Sequence, residues 1–293
     1  MRRVRRRRRR LAGWRFAFLA AAGMMMVSVA AGVGLFMGYV RTLPPIERLE
    51  YYDPPEVTRV TDRTGQVTLG EFKQQRRYVT PIEQIPKRLQ LAFLAIEDSR
   101  FYDHIGVDPL GVLRAAFANI KSGSRRQGGS TITQQLTRNI LPDEVGFEQT
   151  LTRKIKEAIL SLQIERRYSK QQILEFYLNH IEFLFNSFGV RAAASTYFSK
   201  DLDELTLAEC ATLAAMPKNP GYYNPILHPR RALERRNVVL KRILELNYIG
   251  PESYAAAVEE PLAIRRGYGA PSLYPYFLDA LEKDLKREYG LSG

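Results

Sequence analysis

Three capping boxes divide the middle of this 293-residue chain into helices. A hydroxyl residue is followed three positions later by glutamine or glutamate in Thr131–Gln134, Ser169–Gln172 and Thr206–Glu209. In a capping box the two residues accept hydrogen bonds from each other's backbone N–H groups, which stabilises the first turn of a helix. The spacing therefore predicts helices that begin at these three points and a body that is mostly helical.

Apolar periodicity predicts further helices between and beyond the capping boxes. They cover residues 86–97, 111–120, 151–167, 229–247 and 251–259, with another in the C-terminal segment 274–290. Strand signals are confined to the start of the body. There, Val57 to Phe72 is typical of a hairpin with Arg63, Thr64 and Gly65 at its turn.

The first 40 residues predict a membrane anchor. Nine arginines among the first 15 residues supply most of the formal charge of +13. The 25 residues from Phe16 to Val40 carry no charge, and a helix of that length exceeds the roughly 30 Å hydrocarbon core of a bilayer. We expect a cytoplasmic basic tail over 1–15, a single transmembrane helix over 16–40 and a linker over 41–56, with the rest outside the cytoplasm. A cleaved signal peptide is the alternative for the apolar stretch, and nucleic-acid binding is the alternative for the arginines.

Thiol and metal chemistry have little support in this sequence. Cys210 is the single cysteine and lies in an apolar helical run, so we expect it in the core. The three histidines, His104, His180 and His228, do not have the spacing of metal ligands.

A polar stretch, QGGSTITQQLTRN from Gln127 to Asn139, opens the helix that begins after Thr131. Gly128 and Gly129 free the backbone, and the N–H groups and positive dipole end of the helix can bind an anion there. An ordinary capped helix after a loop is the alternative, because glycine-rich turns are common. Amide side chains follow the cap directly, where a core helix would carry apolar residues. The stretch is therefore predicted to be a polar ligand-binding wall.

Glu97 and Asp98 end the helix predicted over residues 86–97. A carboxylate at this point faces the negative end of the helix dipole. Apolar neighbours further favour its protonated form, so the environment suits a carboxylate that takes up a proton. A solvated acidic pair at a helix end is the alternative.

Glu157 lies in the helix predicted over residues 151–167. The main apolar stripe of that helix consists of Leu151, Ile155, Ile159 and Leu162. Glu157 lies opposite the stripe but shares its side with Leu160 and Ile164, so the helix is predicted to be central. A buried carboxylate needs partners, and Arg153 and Lys154 are within reach one turn earlier. A structural ion pair is the alternative to a catalytic role.

Two carboxylates, an amide wall and clustered cations suit glycosyl transfer to or from a phosphate-bearing substrate. Five motifs also resemble, in order and spacing, those of the peptidoglycan glycosyltransferase domain of class A penicillin-binding proteins and monofunctional transglycosylases. The motifs are AFLAIEDSRFYDHIGVD, RQGGSTITQQLTRN, TRKIKEAI, KQQILEFYLNHIEF and RRNVVL. The resemblance implies a domain over 57–265 with a mostly α, lysozyme-like lobe and a smaller membrane-proximal jaw lobe around 108–126. Residues 266–293 would form a C-terminal linker or helix.

The resemblance implies an inverting enzyme that polymerises lipid II into β-1,4-linked glycan strands and releases undecaprenyl diphosphate. Glu97 matches the general base for the 4-hydroxyl of the incoming GlcNAc, which attacks C1 of the donor MurNAc. Glu157 matches the second catalytic glutamate, near the diphosphate. No cofactor is obligatory, although some members use a divalent cation such as magnesium or manganese there and a lysine can substitute for it.

Further residues match substrate-binding positions of the family. They are Asp98, Phe101 and His104 in the first motif, Gly129, Ser130, Thr131, Gln134, Gln135, Arg138 and Asn139 in the second, and Arg153, Lys154 and Lys156 in the third. The implied partners are lipid II, the growing glycan chain, the bilayer and a transpeptidase or other cell-wall synthesis proteins, with no nucleic acid. The implied location is the bacterial inner membrane.

The sequence departs from the family in two places. Leu184 and Asn186 stand where glycines are common and Glu182 where tyrosine is, and Gln149 replaces an arginine found in many members. These departures leave a non-catalytic membrane scaffold as an alternative, and a lysozyme-like hydrolase is another. Ser-x-x-Lys and Lys-Thr-Gly motifs do not occur in the sequence, so we expect a fragment of a bifunctional protein or a chain that lost its transpeptidase domain.

Overall fold

The structure is a computed structural model that describes residues 23–27, 30–31, 34, 38, 58–65, 68–72, 76–114, 129–145, 150–265, 280–281, 283–284 and 287–288. The chain divides into two compact units, Met1–Pro45 and Ile46–Gly293. The described residues of the first unit are helical and exposed. Within the described ranges, no helix is long and apolar enough to cross a bilayer. The transmembrane helix predicted over 16–40 lies mostly outside the described residues.

The second unit begins with the predicted hairpin. Strands β1 (Thr58–Thr61) and β2 (Thr68–Phe72) pair antiparallel. At the turn the Gly65 N–H donates to the Asp62 carbonyl at 3.0 Å. Gly65 has a φ of 75°, a left-handed conformation that glycine adopts without a steric penalty.

The described part of the second unit is mostly helical, as predicted. Its helices are α1 (Lys87–Glu97), α2 (Ile132–Ile140), α3 (Pro142–Val145), α4 (Leu151–Arg167), α5 (Lys170–His180), α6 (Val190–Phe198), α7 (Leu207–Ala215), α8 (Pro229–Glu245) and α9 (Pro251–Glu259). Residues 109–114 are also helical, so the helix predicted over 111–120 is described only at its start. The described residues of the predicted C-terminal helix, between 280 and 288, are helical as well.

All three predicted capping boxes are present, at the starts of α2, α5 and α7. At α2 the Gln134 N–H donates to Thr131 Oγ1 at 3.2 Å, and the Thr131 N–H donates to Gln134 Oε1 at 3.0 Å. Each box satisfies N–H groups that the first turn of a helix leaves without an intrahelical partner. These local bonds explain why the predicted and observed helix starts agree.

Buried apolar residues lie in two packed groups of helices. In one group α8 packs against α7 and α1, and in the other α2 packs against α4 and α5. Cys210 of α7 is fully buried, as expected for a core residue, and burial raises the pKa of its thiol to about 12. Glu97 ends α1 in the first group, and Glu157 lies in α4 of the second. The two predicted catalytic glutamates therefore come from different groups of helices.

A second strand pair shows that strands are not confined to the start of the body, and that prediction is wrong. Strand β3 (Arg76–Arg77) pairs in parallel with β4 (Ser187–Phe188). Asn179 continues the link, because it accepts a hydrogen bond from the Thr80 N–H and donates one to the Thr80 carbonyl, both at 2.9 Å. Two-residue strands joined over a long sequence distance leave no periodic signal, so the pattern did not indicate them.

The segment before β4 contains Leu184 and Asn186, the two positions where glycine is common in the family, and its backbone is unusual. Leu184, Phe185 and Asn186 have φ angles of 63°, 51° and 59°, all in the left-handed region. Residues other than glycine have a steric penalty in this region, and the penalty is smaller for asparagine than for leucine or phenylalanine. The turn is nevertheless closed, since the Phe183 N–H donates to the Ser187 carbonyl at 2.9 Å. Glycine adopts left-handed angles without this penalty, and this chain makes the turn with leucine, phenylalanine and asparagine instead.

Candidate active site

A cleft of about 1050 Å³ opens beside the C-terminal end of α1. Its walls come from α1 and the loop that follows, from the residues just before α2, and from α8. The predicted site residues that line it are Glu97, Asp98, Gly129, Ser130, Thr131 and Gln135. The structure therefore brings the first two predicted motifs to one surface.

Glu97 is the last residue of α1 and is partly exposed at the cleft. Gln135 Nε2 donates a hydrogen bond to Glu97 Oε2 at 2.8 Å. Burial raises the pKa of Glu97 above the ordinary 4.5, and the Gln135 hydrogen bond and the charges of Arg235 and Lys218 offset part of the rise. This is the direction that the sequence led us to expect, and its main cause is burial. A carboxylate of this kind can accept a proton near neutral pH more readily than an exposed one.

Asp98 shows that the anion site predicted at the start of α2 is already occupied by the protein. Asp98 Oδ2 accepts the Ile132 N–H at 3.0 Å, and His104 Nε2 contacts the same oxygen at 2.9 Å. The Gly106 N–H donates to His104 Nδ1, so Nε2 carries the ring proton and donates to Asp98. The expectation that these N–H groups hold a ligand anion is wrong for Ile132, because a buried carboxylate takes that position.

Glu157 is fully buried in the middle of α4. Lys154 Nζ donates to Glu157 Oε2 at 2.5 Å and to Ser130 Oγ at 3.2 Å, while Arg153 Nε lies 3.5 Å from Glu157 Oε1. The predicted partners of Glu157 are therefore confirmed. Ser130 lines the cleft and Glu157 lies behind it, so Lys154 is the link between the buried carboxylate and the cleft surface.

The apolar stripe predicted on α4 is wrong in part. Ile155 is 48% exposed, whereas Leu160, Ser161 and Ile164 are fully buried together with Glu157. The helix turns its Glu157 side inward because the carboxylate brings its own cations, and Ser161 Oγ bonds back to the Glu157 carbonyl. Ile159 of the stripe is buried as well, so α4 packs on more than one side, and the predicted burial of Glu157 with its cations is confirmed.

The other predicted substrate-binding residues divide by exposure. Phe101, His104 and Gln134 are buried, and Phe101 packs edge to face on His104. Those that are partly or fully exposed are Arg138, Asn139, Arg153, Lys154 and Lys156. The buried three are thus placed to support the cleft wall, and the polar remainder lies on α2 and α4 with solvent access.

Sequence reasoning missed a cationic wall of the cleft, formed by Lys218, Arg235, Lys241 and Arg242. The last three lie on one face of α8, with Val238 and Glu245, at spacings of three and four residues. That periodicity of charge was the available signal. The neighbouring Arg236 points the other way: it is 1% exposed and donates to the Val258 and Glu260 carbonyls at 2.8 and 2.6 Å. The paired arginines of the fifth motif therefore divide between the cleft and the junction with α9.

The donor set at Glu157 does not fit a divalent cation. Lys154 Nζ donates to Glu157 Oε2, and Oε1, which has no hydrogen-bond partner, lies 3.5 Å from Arg153 Nε, so a protein cation stands beside each oxygen. Among the described residues, clusters of three or more histidine, cysteine, aspartate or glutamate side chains that could hold a metal ion do not occur. The positive charge beside this carboxylate comes from the chain itself.

One family model and three known proteins are similar to this chain. Residues 65–244 match the transglycosylase family. Penicillin-binding protein 1A of Aquifex aeolicus is 43% identical over 271 residues, which are 92% of this chain and 37% of that protein. Penicillin-binding protein 1A of Escherichia coli is 37% identical over 281 residues, 95% of this chain and 32% of that protein. A crystal structure of penicillin-binding protein 1A from Haemophilus influenzae aligns with a TM-score of 0.48 at 28% identity, over 82% of this chain and 25% of that one.

The family model and the relatives together show a glycosyltransferase domain, and its helical fold holds Glu97 and a cationic wall in one cleft. The chain belongs to the transglycosylase family, and it is similar to the peptidoglycan glycosyltransferase domain of class A penicillin-binding proteins. It spans about a third of the length of the relatives named above.

Proposed function

We propose that this chain polymerises lipid II into β-1,4-linked glycan strands with inversion and releases undecaprenyl diphosphate. The observation that carries the proposal is Glu97, a carboxylate of raised pKa that lies in a cleft with a cationic wall. General base catalysis by such a group contributes roughly 10²–10⁴-fold to a rate.

The reaction requires one proton transfer and one displacement. Glu97 takes the proton of the 4-hydroxyl of the acceptor GlcNAc while that oxygen forms a bond to C1 of the donor MurNAc. The bond from C1 to the diphosphate oxygen breaks on the opposite face, and the electron pair leaves with the diphosphate. An inverting displacement needs the base on the acceptor side and stabilisation of charge on the leaving side.

Cations in the structure are suited to both diphosphates. Lys154, held by Glu157 and bonded to Ser130 at the cleft surface, can stabilise the leaving diphosphate of the donor. The wall of Lys218, Arg235, Lys241 and Arg242 lines the same cleft as Glu97, and Arg235 and Lys218 are near enough to lower the pKa of Glu97. These cations suit the diphosphate of the acceptor. A substrate with an anionic group on each side of the reacting sugars fits this distribution of charge.

We further propose that the domain works at the outer face of the bacterial inner membrane, held by residues 16–40. Lipid II carries a polyprenyl chain, so an anchored domain meets its substrate at the bilayer surface. A transpeptidase or other cell-wall synthesis protein would be its partner. The support for the anchor is the uncharged length and the flanking arginines of the sequence.

The test is polymerisation of fluorescent lipid II by the full chain in detergent, read as glycan strands on a gel and confirmed by digestion with lysozyme. Strands from the wild type are expected. Binding of lipid II without strands would overturn the polymerase and favour the scaffold alternative. Release of fragments from preformed peptidoglycan, without polymerisation, would favour a hydrolase.

A further inference from the structure

Tyr177 is a buried tyrosine one step behind the cleft. It lies on α5, its side chain is 1% exposed, and its ring packs edge to face on Phe93 with centroids 6.3 Å apart. Its hydroxyl donates a hydrogen bond to Gln135 Oε1 at 3.1 Å. The other end of the same amide, Gln135 Nε2, donates to Glu97 Oε2 at 2.8 Å.

Tyr177, Gln135 and Glu97 form a series of two hydrogen bonds in which each donor points toward Glu97. An ionised carboxylate can only accept, so the amide nitrogen of Gln135 must face Glu97. The amide oxygen then faces Tyr177, whose O–H supplies the matching donor. Tyr177 thus selects one of the two orientations that the Gln135 amide can adopt.

The alternative orientation would suit a protonated Glu97. In that state the carboxyl O–H could donate to Gln135 Oε1, and the amide nitrogen would turn toward Tyr177. The Tyr177 O–H would then lose its acceptor inside the protein, and a buried donor without a partner is unfavourable. The hydroxyl of Tyr177 therefore favours the arrangement in which Glu97 is ionised.

We propose that Tyr177 is a positioning residue for glycosyl transfer, which acts through the Gln135 amide to hold Glu97 in its proton-accepting state. The inference rests on the proposed role of Glu97 as the base. Tyr177 is buried and is not among the residues that line the cleft, so it acts through Gln135 rather than on substrate.

Other charged groups near the hydrogen bonds of Tyr177, Gln135 and Glu97 also affect a test of pH dependence. Asp98 raises the pKa of Glu97, whereas Arg235 and Lys218 lower it. Burial, followed by the charge of Glu97, raises the pKa of Tyr177 well above 10, and Arg138 offsets part of that rise. The Tyr177 hydroxyl therefore remains protonated, and remains a donor, over the range in which Glu97 titrates.

Tyr177→Phe removes the hydroxyl and keeps the ring that packs on Phe93. We expect the acidic limb of the pH profile of kcat/KM to move up by about one pH unit, with near wild-type rates recovered above it. In a Gln135→Met background, Tyr177→Phe should not move the acidic limb further, because methionine already breaks the hydrogen bonds that connect Tyr177 to Glu97. The matched control is Tyr197→Phe, a buried tyrosine whose hydroxyl donates to the Phe183 carbonyl, and it should leave the acidic limb in place.

The titration of the Glu97 carboxyl, followed by carbon NMR in the same variants, gives a readout that does not depend on turnover. A rise in the titration midpoint of Glu97 in Tyr177→Phe supports the proposed coupling of Tyr177 to Glu97 through Gln135. The same rise in a protein that makes no glycan would overturn the proposed function while the coupling stands. An unchanged midpoint, or a rate lowered equally at every pH, would show that Tyr177 only fills space and would overturn the inference.

Discussion

Glu97 and Glu157 are the same residue type in two different surroundings. Glu97 ends a helix at the wall of a cleft and receives a hydrogen bond from a neutral amide, with cations acting on it from farther away. Glu157 lies in the interior of a helix with Lys154 and Arg153 in direct contact. The first setting suits a group that changes its protonation state, and the second suits a group that holds neighbouring cations in place. The surroundings of Glu97 and Glu157, rather than their residue type, thus determine what each carboxylate is suited to do.

The largest expected effect comes from Glu97→Gln. Loss of the base should lower kcat of lipid II polymerisation by about 10²–10⁴-fold. Folding stability at neutral pH should be unchanged or slightly higher: the raised pKa means that ionisation of Glu97 costs the folded state free energy above that pKa, and glutamine removes the cost. Rate and thermal unfolding are measured together, with the exposed Glu252→Gln as control. Polymerisation at the wild-type rate would break the comparison.

Glu157→Gln should show the opposite balance, with a clear loss of stability. Removing one partner of a fully buried ion pair costs about 3–5 kcal/mol, and we expect about 2 kcal/mol here because the Lys154 side chain is 43% exposed and can reach water. The rate should also fall, because Lys154 is no longer held beside Ser130. Urea unfolding measures the first effect. A variant as stable as the wild type would remove the contrast between the two glutamates.

Arg235→Ala tests the cations that act on Glu97 at longer range. Because Arg235 lowers the pKa of Glu97, its loss should raise that pKa, and the acidic limb of the kcat/KM profile should move up by less than about one pH unit. Activity would then be lost at a higher pH as the pH falls. Arg230→Ala, at an exposed position of the same helix, is the control and should leave the limb unchanged. A downward shift would contradict the assignment.

Chelation is expected to have the smallest effect. Since Lys154 and Arg153 already face the Glu157 carboxylate, treatment with EDTA should change the polymerisation rate by less than about twofold. Lys154→Ala should make the rate respond to added magnesium or manganese. A loss of wild-type activity in EDTA that either metal restores would show that Glu157 accepts a metal and that Lys154 gives way.

Local features of this protein were predictable from sequence. The capping boxes are satisfied within four residues, and Glu157 finds its cations within one helical turn, so short sequence windows contain both partners. The helix end and the apolar neighbours of Glu97 can also be read locally, but they left a solvated acidic pair open, and only the resemblance to the family implied its role as the base.

Features that depend on tertiary contacts were not predictable. The cationic wall of α8 meets Glu97 only after the chain folds back by more than 100 residues, and Tyr177 reaches Gln135 across the α2–α5 packing. The occupation of the α2 N-terminus by Asp98 also needed the structure, because a sequence shows which N–H groups are unpaired within a helix but not which distant side chain takes them.

Titration of the Glu97 carboxyl in the wild type tests the central claim most directly. With glutamate carboxyl carbons labelled, and Glu97→Gln used to assign the resonance, Glu97 should titrate above 4.5 and its midpoint should coincide with the acidic limb of kcat/KM for lipid II. A midpoint at or below 4.5, or one that does not coincide with the acidic limb, would contradict the assignment of Glu97 as the proton acceptor.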